Sequence, residues 1–275
     1  PTLRVVEQLS MLCEPTTAFE RMTYDDAETV GTVYETNTAL LHQPTAAPRT
    51  YPQTPHRFSE VVGGKITVEE FLSQMSDDEL CETAVMTRAL GVPAGTGAWG
   101  ASTEVAEKYG IPVADTADGP AGLRISTKAT GLPSATALAS TWNASLGTLL
   151  GDAVGREALK SGVDVWLAPG VNLHRFPLCG RNFEYFSEDP YLSGVMASGI
   201  ISAVESHGVA TTVKHFVGNE KEQNRNSVDS RISERALREL YLKPFRMAVG
   251  AGVSSVMTSY NYLNGRETAE NAELI

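Results

Sequence analysis

Cysteine is scarce in this sequence: three residues in 275, Cys13, Cys81 and Cys179. They lie far apart without paired metal-ligand spacing, so neither a zinc site nor a disulfide framework is indicated and reduced, partly buried thiols are expected. Positive charge is also short. Lys and Arg number 22 against 33 Asp and Glu, a formal charge of -11, which repels a polyanion or an anionic membrane surface. Nucleic acid and membrane are not expected partners. No run of about 18 apolar residues exists, and residues Pro1 to Pro15 lack the basic start and long apolar stretch of a signal peptide. The chain reads as cytoplasmic, with a native start expected upstream because Pro1 stands where a Met would. A phosphate loop is missing too: GVPAGTGAWG, 91–100, has the glycines but no Lys-Ser/Thr pair and no preceding apolar strand, and reads as a mobile loop. No metal, nucleotide or flavin cofactor is indicated.

What is present is ordinary for a globular α/β protein, with 42% hydrophobic and 20% charged residues in a chain long enough to bury a large core. Residues 3–12 read as a strand ending a preceding module. Residues 43–55 carry four prolines and read as a linker. The expected division is therefore 1–57, tail and linker, and 58–275, the main domain. Thr67 with Glu70 and Ser76 with Glu79 fit capping boxes, and Phe71, Leu72, Met75, Leu80 and Val85 follow helical spacing. From Ile111 short apolar strands (111–115, 163–168, 209–214, 254–259) alternate with helical stretches near 145–160, 191–206 and 233–250. Such alternation predicts parallel strands joined by crossover helices. About four units fit where a closed (β/α)8 TIM-type barrel needs eight. A further helical signal begins at Thr268, and only about the first half of such a barrel is expected in the chain. A complete doubly wound sheet is the alternative fold.

In parallel α/β folds the loops at the carboxyl ends of the strands build the site. Here they bring Asp118 and Arg124 after the first strand, Arg181 after the second, Lys214 and His215 at the end of the third, and Met257 and Tyr260 at and after the fourth. A carboxylate accepting from neighbouring hydroxyls, with Arg, Lys and His donating to other oxygens, is the chemistry that grips a hexose. Met257 and Tyr260 would face its C–H surface. Each residue also has a plain structural reading: Asp118 in an Asx turn with Arg124 as surface partner, Arg181 paired with Glu184 or Glu188, Lys214 a solvated strand-end lysine, His215 a satisfied core histidine. Asp189-Pro190 reads as a helix N-cap followed by proline.

The segments DGPAGLR (118–124), GRNFEYFSEDP (180–190), VKHF (213–216), RALRELYLKPF (235–245) and SYNYLNG (259–265) resemble, in order and spacing, those of glycoside hydrolase family 3, the β-glucosidase family. The resemblance runs from about Phe58 to Ile275. It implies that Asp118, Arg124, Arg181, Lys214, His215, Met257 and Tyr260 line the subsite for the non-reducing sugar of a β-linked glucoside or oligosaccharide. It further implies a retaining mechanism using two carboxylates about 5 to 5.5 Å apart. The family's nucleophile lies in a Ser/Thr-Asp-Trp segment that residues 1–275 do not contain, and its acid/base usually comes from an α/β sandwich domain. The rest of the barrel and that sandwich, which precedes the barrel in permuted members, are thus the implied partners; a homo-oligomer stays open. The catalytic carboxylates are expected outside 1–275, and the isolated chain is expected to be inactive. In the family's hexosaminidase branch a His-Asp pair occupies a loop like KHFPGHGD. Here 214–225 reads KHFVGNEKEQNR, which resembles the glucosidase branch instead. Two other readings stay open: a non-catalytic sugar-binding chain, and a lyase using Lys214 as a Schiff-base lysine.

Overall fold

The computed structural model describes residues 52, 54–84, 97–99 and 103–275. The expected strand at 3–12, most of the linker at 43–55, Cys13 and Val85 lie outside the described residues.

Four short helices lead in: α1 (Phe58–Val62), α2 (Val68–Ser73), α3 (Asp77–Ala84) and α4 (Thr103–Tyr109). The Thr67 hydroxyl accepts from the Glu70 N–H while the Glu70 carboxylate accepts from the Thr67 N–H. Ser76 and Glu79 repeat the exchange. Each cap satisfies two otherwise orphaned donors, which is why such short helices hold. Phe71, Met75, Val105 and Tyr109 close a small core of their own.

The main sheet has the order β1 (Gly97–Trp99), β2 (Ala114–Ala117), β3 (Val165–Trp166), β4 (Ala210–Phe216), β6 (Ser255–Thr258). β2, β3, β4 and β6 run parallel and β1 is antiparallel to β2. A second, three-stranded sheet joins β5 (Asp229–Ser230), β7 (Tyr262–Leu263) and β8 (Arg266–Glu267). The crossover helices are α6 (Ala144–Lys160), preceded by the short α5 (Ala135–Ala139), then α7 (Pro190–Glu205), and α8 (Glu234–Ala236) with α9 (Lys243–Gly250). Parallel strands curling with helices outside them form part of a TIM-type barrel, the fold class the alternation predicts.

The helix starts follow local chemistry. Asp189 caps α7, its Oδ1 accepting from the N–H groups of Tyr191 and Leu192 at 2.7 and 3.0 Å, and Pro190 fills the first turn. Asn143 caps α6 through Ser145. Trp166, Ile200, Ile201, Val204, Val213 and Phe245 anchor the core between strands and helices.

Three expectations need correction. Residues 97–99 are not loop but the edge strand β1, held by the Thr116 hydroxyl donating to the Gly97 carbonyl at 3.0 Å; the rest of 91–100 lies outside the described residues. The helix expected over 233–250 is interrupted: a π-turn spans Leu237–Tyr241, closed by Leu242 N–H to Leu237 carbonyl at 2.8 Å, and α9 restarts with Pro244, which has no N–H to continue the ladder. From Thr268 the chain makes a single 3-10 turn, Thr268–Glu270, rather than an α-helix.

Candidate functional site

The carboxyl ends of the parallel strands bring most of the expected residues together. Asp118 follows β2 directly, and Gly119, with φ of 111°, turns the chain where an added Cβ would lie 1.9 Å from the Gly122 carbonyl; only glycine fits. Lys214 and His215 sit at the end of β4, 1% and 3% exposed, and Lys214 pairs in register with Met257 of β6. The lysine is therefore not a solvated strand-end residue.

The Lys214 ammonium reaches across the sheet to Asp118 Oδ1 at 2.5 Å. Arg124, largely exposed, approaches Asp118 Oδ2 at 3.5 Å. Burial would raise the Asp118 carboxyl, but Lys214, and more weakly Gly119 N–H and Arg124, hold it below its usual value, so it is ionised at neutral pH. Burial draws the Lys214 amine down and Asp118 opposes that. A carboxylate at 2.5 Å favours the ammonium, the form that cannot attack a carbonyl to make a Schiff base.

Arg181 pairs with buried Glu184, one of the two structural partners its sequence position offers. Burial works against its charge, and Glu184 restores it. His215 is held neutral: burial first, then the charges of Arg181, Lys214 and Arg225, push its pKa well below the ordinary value. The Asn172 amide clamps it, Oδ1 accepting from the His215 N–H at 2.7 Å and Nδ2 donating to the His215 carbonyl at 3.0 Å. Tyr185 Oη lies 3.1 Å from His215 Nδ1 and accepts from Asn219 Nδ2 at 3.1 Å. Asn172 Oδ1, which can only accept, also lies 3.3 Å from Nδ1; this favours the ring proton on Nδ1 and leaves Nε2 as an acceptor.

Tyr260 stands apart at 59% exposure, with the Arg225 guanidinium 4.8 Å over its ring. Met257 is partly buried.

Sequence reasoning gave no role to Asn172, Tyr185, Asn219, Glu220 and Arg225 in the layer beneath these residues, and it offered Glu184 only as one of two structural partners of Arg181. Asn172 follows β3 within the polar loop already singled out, and its position at a strand end was the available signal. Glu184 and Tyr185 lie inside GRNFEYFSEDP; nothing local distinguishes a buried glutamate there from Glu188, which is exposed.

The arrangement provides a half-buried carboxylate flanked by cations and a neutral imidazole, a set that accepts from and donates to vicinal hydroxyls. Comparison with known proteins points the same way. Over 98% of its length the chain is 40% identical to a β-glucosidase of Ruminococcus albus and 37% identical to β-glucosidase A of Butyrivibrio fibrisolvens. It spans 30% and 36% of those proteins. The solved β-glucosidase of Paenibacillus barengoltzii is 45% identical and superposes with a TM-score of 0.77 over 85% of this chain and 26% of that one. β-Glucosidase 3B of Thermotoga neapolitana, solved in complex with α-D-glucose, is 44% identical with a TM-score of 0.69 over 76% of this chain and 31% of that one. Residues 97–275 match the glycosyl hydrolase family 3 N-terminal domain, and the chain belongs to that family.

Proposed function

We propose that this chain forms the sugar-gripping part of a retaining glycoside hydrolase that releases terminal, non-reducing β-D-glucosyl or related residues. Asp118, Arg124, Arg181, Lys214, His215, Met257 and Tyr260 line the subsite. The observation that carries the reading is buried Lys214 paired with half-buried Asp118 beside neutral His215 at the carboxyl ends of parallel strands, in a chain whose relatives are named β-glucosidases.

Asp118 meets Lys214 and the Gly119 N–H, with Arg124 3.5 Å from Oδ2, and an ionised carboxylate has about four acceptor positions. It therefore retains room for hydroxyls on adjacent sugar carbons. Lys214, Arg124 and Arg181 donate to the sugar's oxygens, neutral His215 accepts a hydroxyl hydrogen at Nε2, and Met257 with Tyr260 meets a C–H face. Bond cleavage needs a nucleophilic carboxylate and an acid/base, which we assign to segments beyond residues 1–275, in the remaining barrel and a sandwich domain of the same enzyme. In this reading residues 1–57 are the tail of a preceding domain and its linker, and 58–275 belong to the barrel.

The test is Asp118→Asn in the whole enzyme. Loss of a charged bidentate contact lowers kcat/KM for an aryl β-glucoside by at least about tenfold, ~1.4 kcal/mol of transition-state binding. Kinetics equal to the unaltered enzyme would remove Asp118 from the site. A non-catalytic reading fits the 275 residues taken alone, since no Ser/Thr-Asp-Trp segment occurs among them. As a separate polypeptide they are expected to leave the aryl β-glucoside uncleaved, and turnover by that polypeptide would place a nucleophile inside it.

A further inference from the structure

Glu220 is a buried carboxylate, 6% exposed, that the reading above leaves unused. It lies five residues past His215 on the wall of a cavity of about 430 Å³, shared with Arg175, Phe176, Lys221, Asp229 and Arg231. Its Oε1 faces Asn172 Nδ2 at 3.4 Å, and the Leu173 N–H also donates to it. Asn172 is the amide that grips His215 at both N–H and carbonyl, and its Oδ1 lies 3.3 Å from His215 Nδ1.

An amide side chain can be turned end for end at little intrinsic cost, so its orientation is set by its neighbours. Turning Asn172 over would place its oxygen against two acceptors, the His215 carbonyl and the Glu220 carboxylate. It would also face its NH2 toward the His215 N–H donor and ring Nδ1. The Glu220 charge therefore adds to the His215 backbone in favouring one orientation, and that orientation sets an acceptor, Asn172 Oδ1, against Nδ1 and so holds the ring proton on Nδ1. We propose that Glu220 is a positioning residue: through Asn172 it fixes the orientation and ring tautomer of His215.

Protonation weakens this hold, because a neutral carboxyl is a poorer acceptor and offers a hydrogen to a turned Asn172 oxygen. Burial raises Glu220 to about 7, against the amide of Asn172, the Leu173 N–H and the charge of Arg175. Tyr241 and Cys179 also feel its charge; Arg181, Lys214 and Arg225 face His215 itself and hold it neutral. The switch thus belongs to Glu220, with the hold at full strength above its pKa and weakened below it, where the His215 backbone alone keeps Asn172 in place.

The inference concerns the site assigned above, so its test carries one readout independent of turnover. In the whole enzyme labelled with 15N-histidine, the His215 ring signals, identified by their loss in H215Q, are followed from about pH 5.5 to 8.5, spanning the expected midpoint. The expected result is a shift of the His215 nitrogens with a midpoint near 7 that E220Q abolishes, since glutamine accepts without titrating. Superimposable His215 titrations in both proteins would overturn the proposal. In parallel, kcat/KM for an aryl β-glucoside is expected to lose in E220Q the acid-side step near pH 7, while E220A raises KM more than it lowers kcat. An enzyme that cleaves no aryl β-glucoside yet shows the coupled His215 shift refutes the sugar-hydrolase reading and leaves this one standing; normal cleavage with an uncoupled His215 does the reverse.

Discussion

Glu220 carries a stability consequence that runs opposite to its positioning role. The unfolded chain releases this proton near the ordinary glutamate value of 4.5 and the folded chain at about 7, so between those values the folded state binds more protons and stability falls as pH rises. Above pH 7 the buried charge costs about 3 kcal/mol, from a shift of about two and a half units. E220Q is expected to raise Tm at pH 8 and to change it little at pH 4.5; an equal effect at both would mean that Glu220 is not strained by its charge. Asp118 has the other sign. Its lowered pKa contributes stability that is present above its unfolded value and lost as pH falls through the folded one. At this scale the placing of the proposed subsite residues was legible in part, because Asp118, Lys214, His215 and Met257 stand at strand ends that apolar patterning marks, while Arg181 lies in the long loop after β3. The supporting layer was not. Asn172, Tyr185 and Glu220 owe their meaning to partners 43, 30 and 48 residues away, a separation that no local pattern encodes.

Among the elements, the α6–α7 pair shows how sequence spacing becomes packing. Gly147, Gly151 and Gly155 recur every four residues on α6 and are buried. A Cβ at Gly151 would lie 2.6 Å from the Ile200 carbonyl oxygen and 2.9 Å from the Ala203 Cβ, and one at Gly147 would lie 2.9 Å from the Met196 oxygen. The helices approach through a glycine ridge, a contact that backbone cannot yield without moving the pair. Gly151→Ala is expected to destabilise the fold by about 1 to 3 kcal/mol despite alanine's higher helix propensity. Gly250→Ala, at the open end of α9 with nothing within 4 Å, is expected to leave stability unchanged or raise it by about 0.5 kcal/mol. Chemical denaturation compares the two, and equal effects would contradict the ridge. Long helices and capped starts were legible for local reasons, the Asp189-Pro190 signal above all. β1 was not: three residues in a glycine-rich stretch make a strand only because β2 offers an edge. The first parallel strand also begins later than its apolar letters, since Pro112 has no N–H to give a ladder and pairing starts at Ala114.

For the molecule as a whole, the formal charge of -11 frames a proposed subsite in which Lys214 and Arg124 meet Asp118, while Arg181 and Arg225, paired with Glu184 and Glu222, act on the His215 imidazole. Cations concentrated in an acidic protein mark where specific ionic contacts outweigh the general field. The partial barrel places this group on one face, and the strands' parallel order places it there from three chain segments, after β2, after β3 and at the end of β4. The most direct measurement is a crystal structure of the whole enzyme with glucose bound. The account predicts adjacent glucose hydroxyls within about 3 Å of the Asp118 carboxylate, and further oxygens within that reach of Lys214 Nζ and His215 Nε2. Glucose bound elsewhere, with Asp118 and Lys214 contacting only each other, would contradict it.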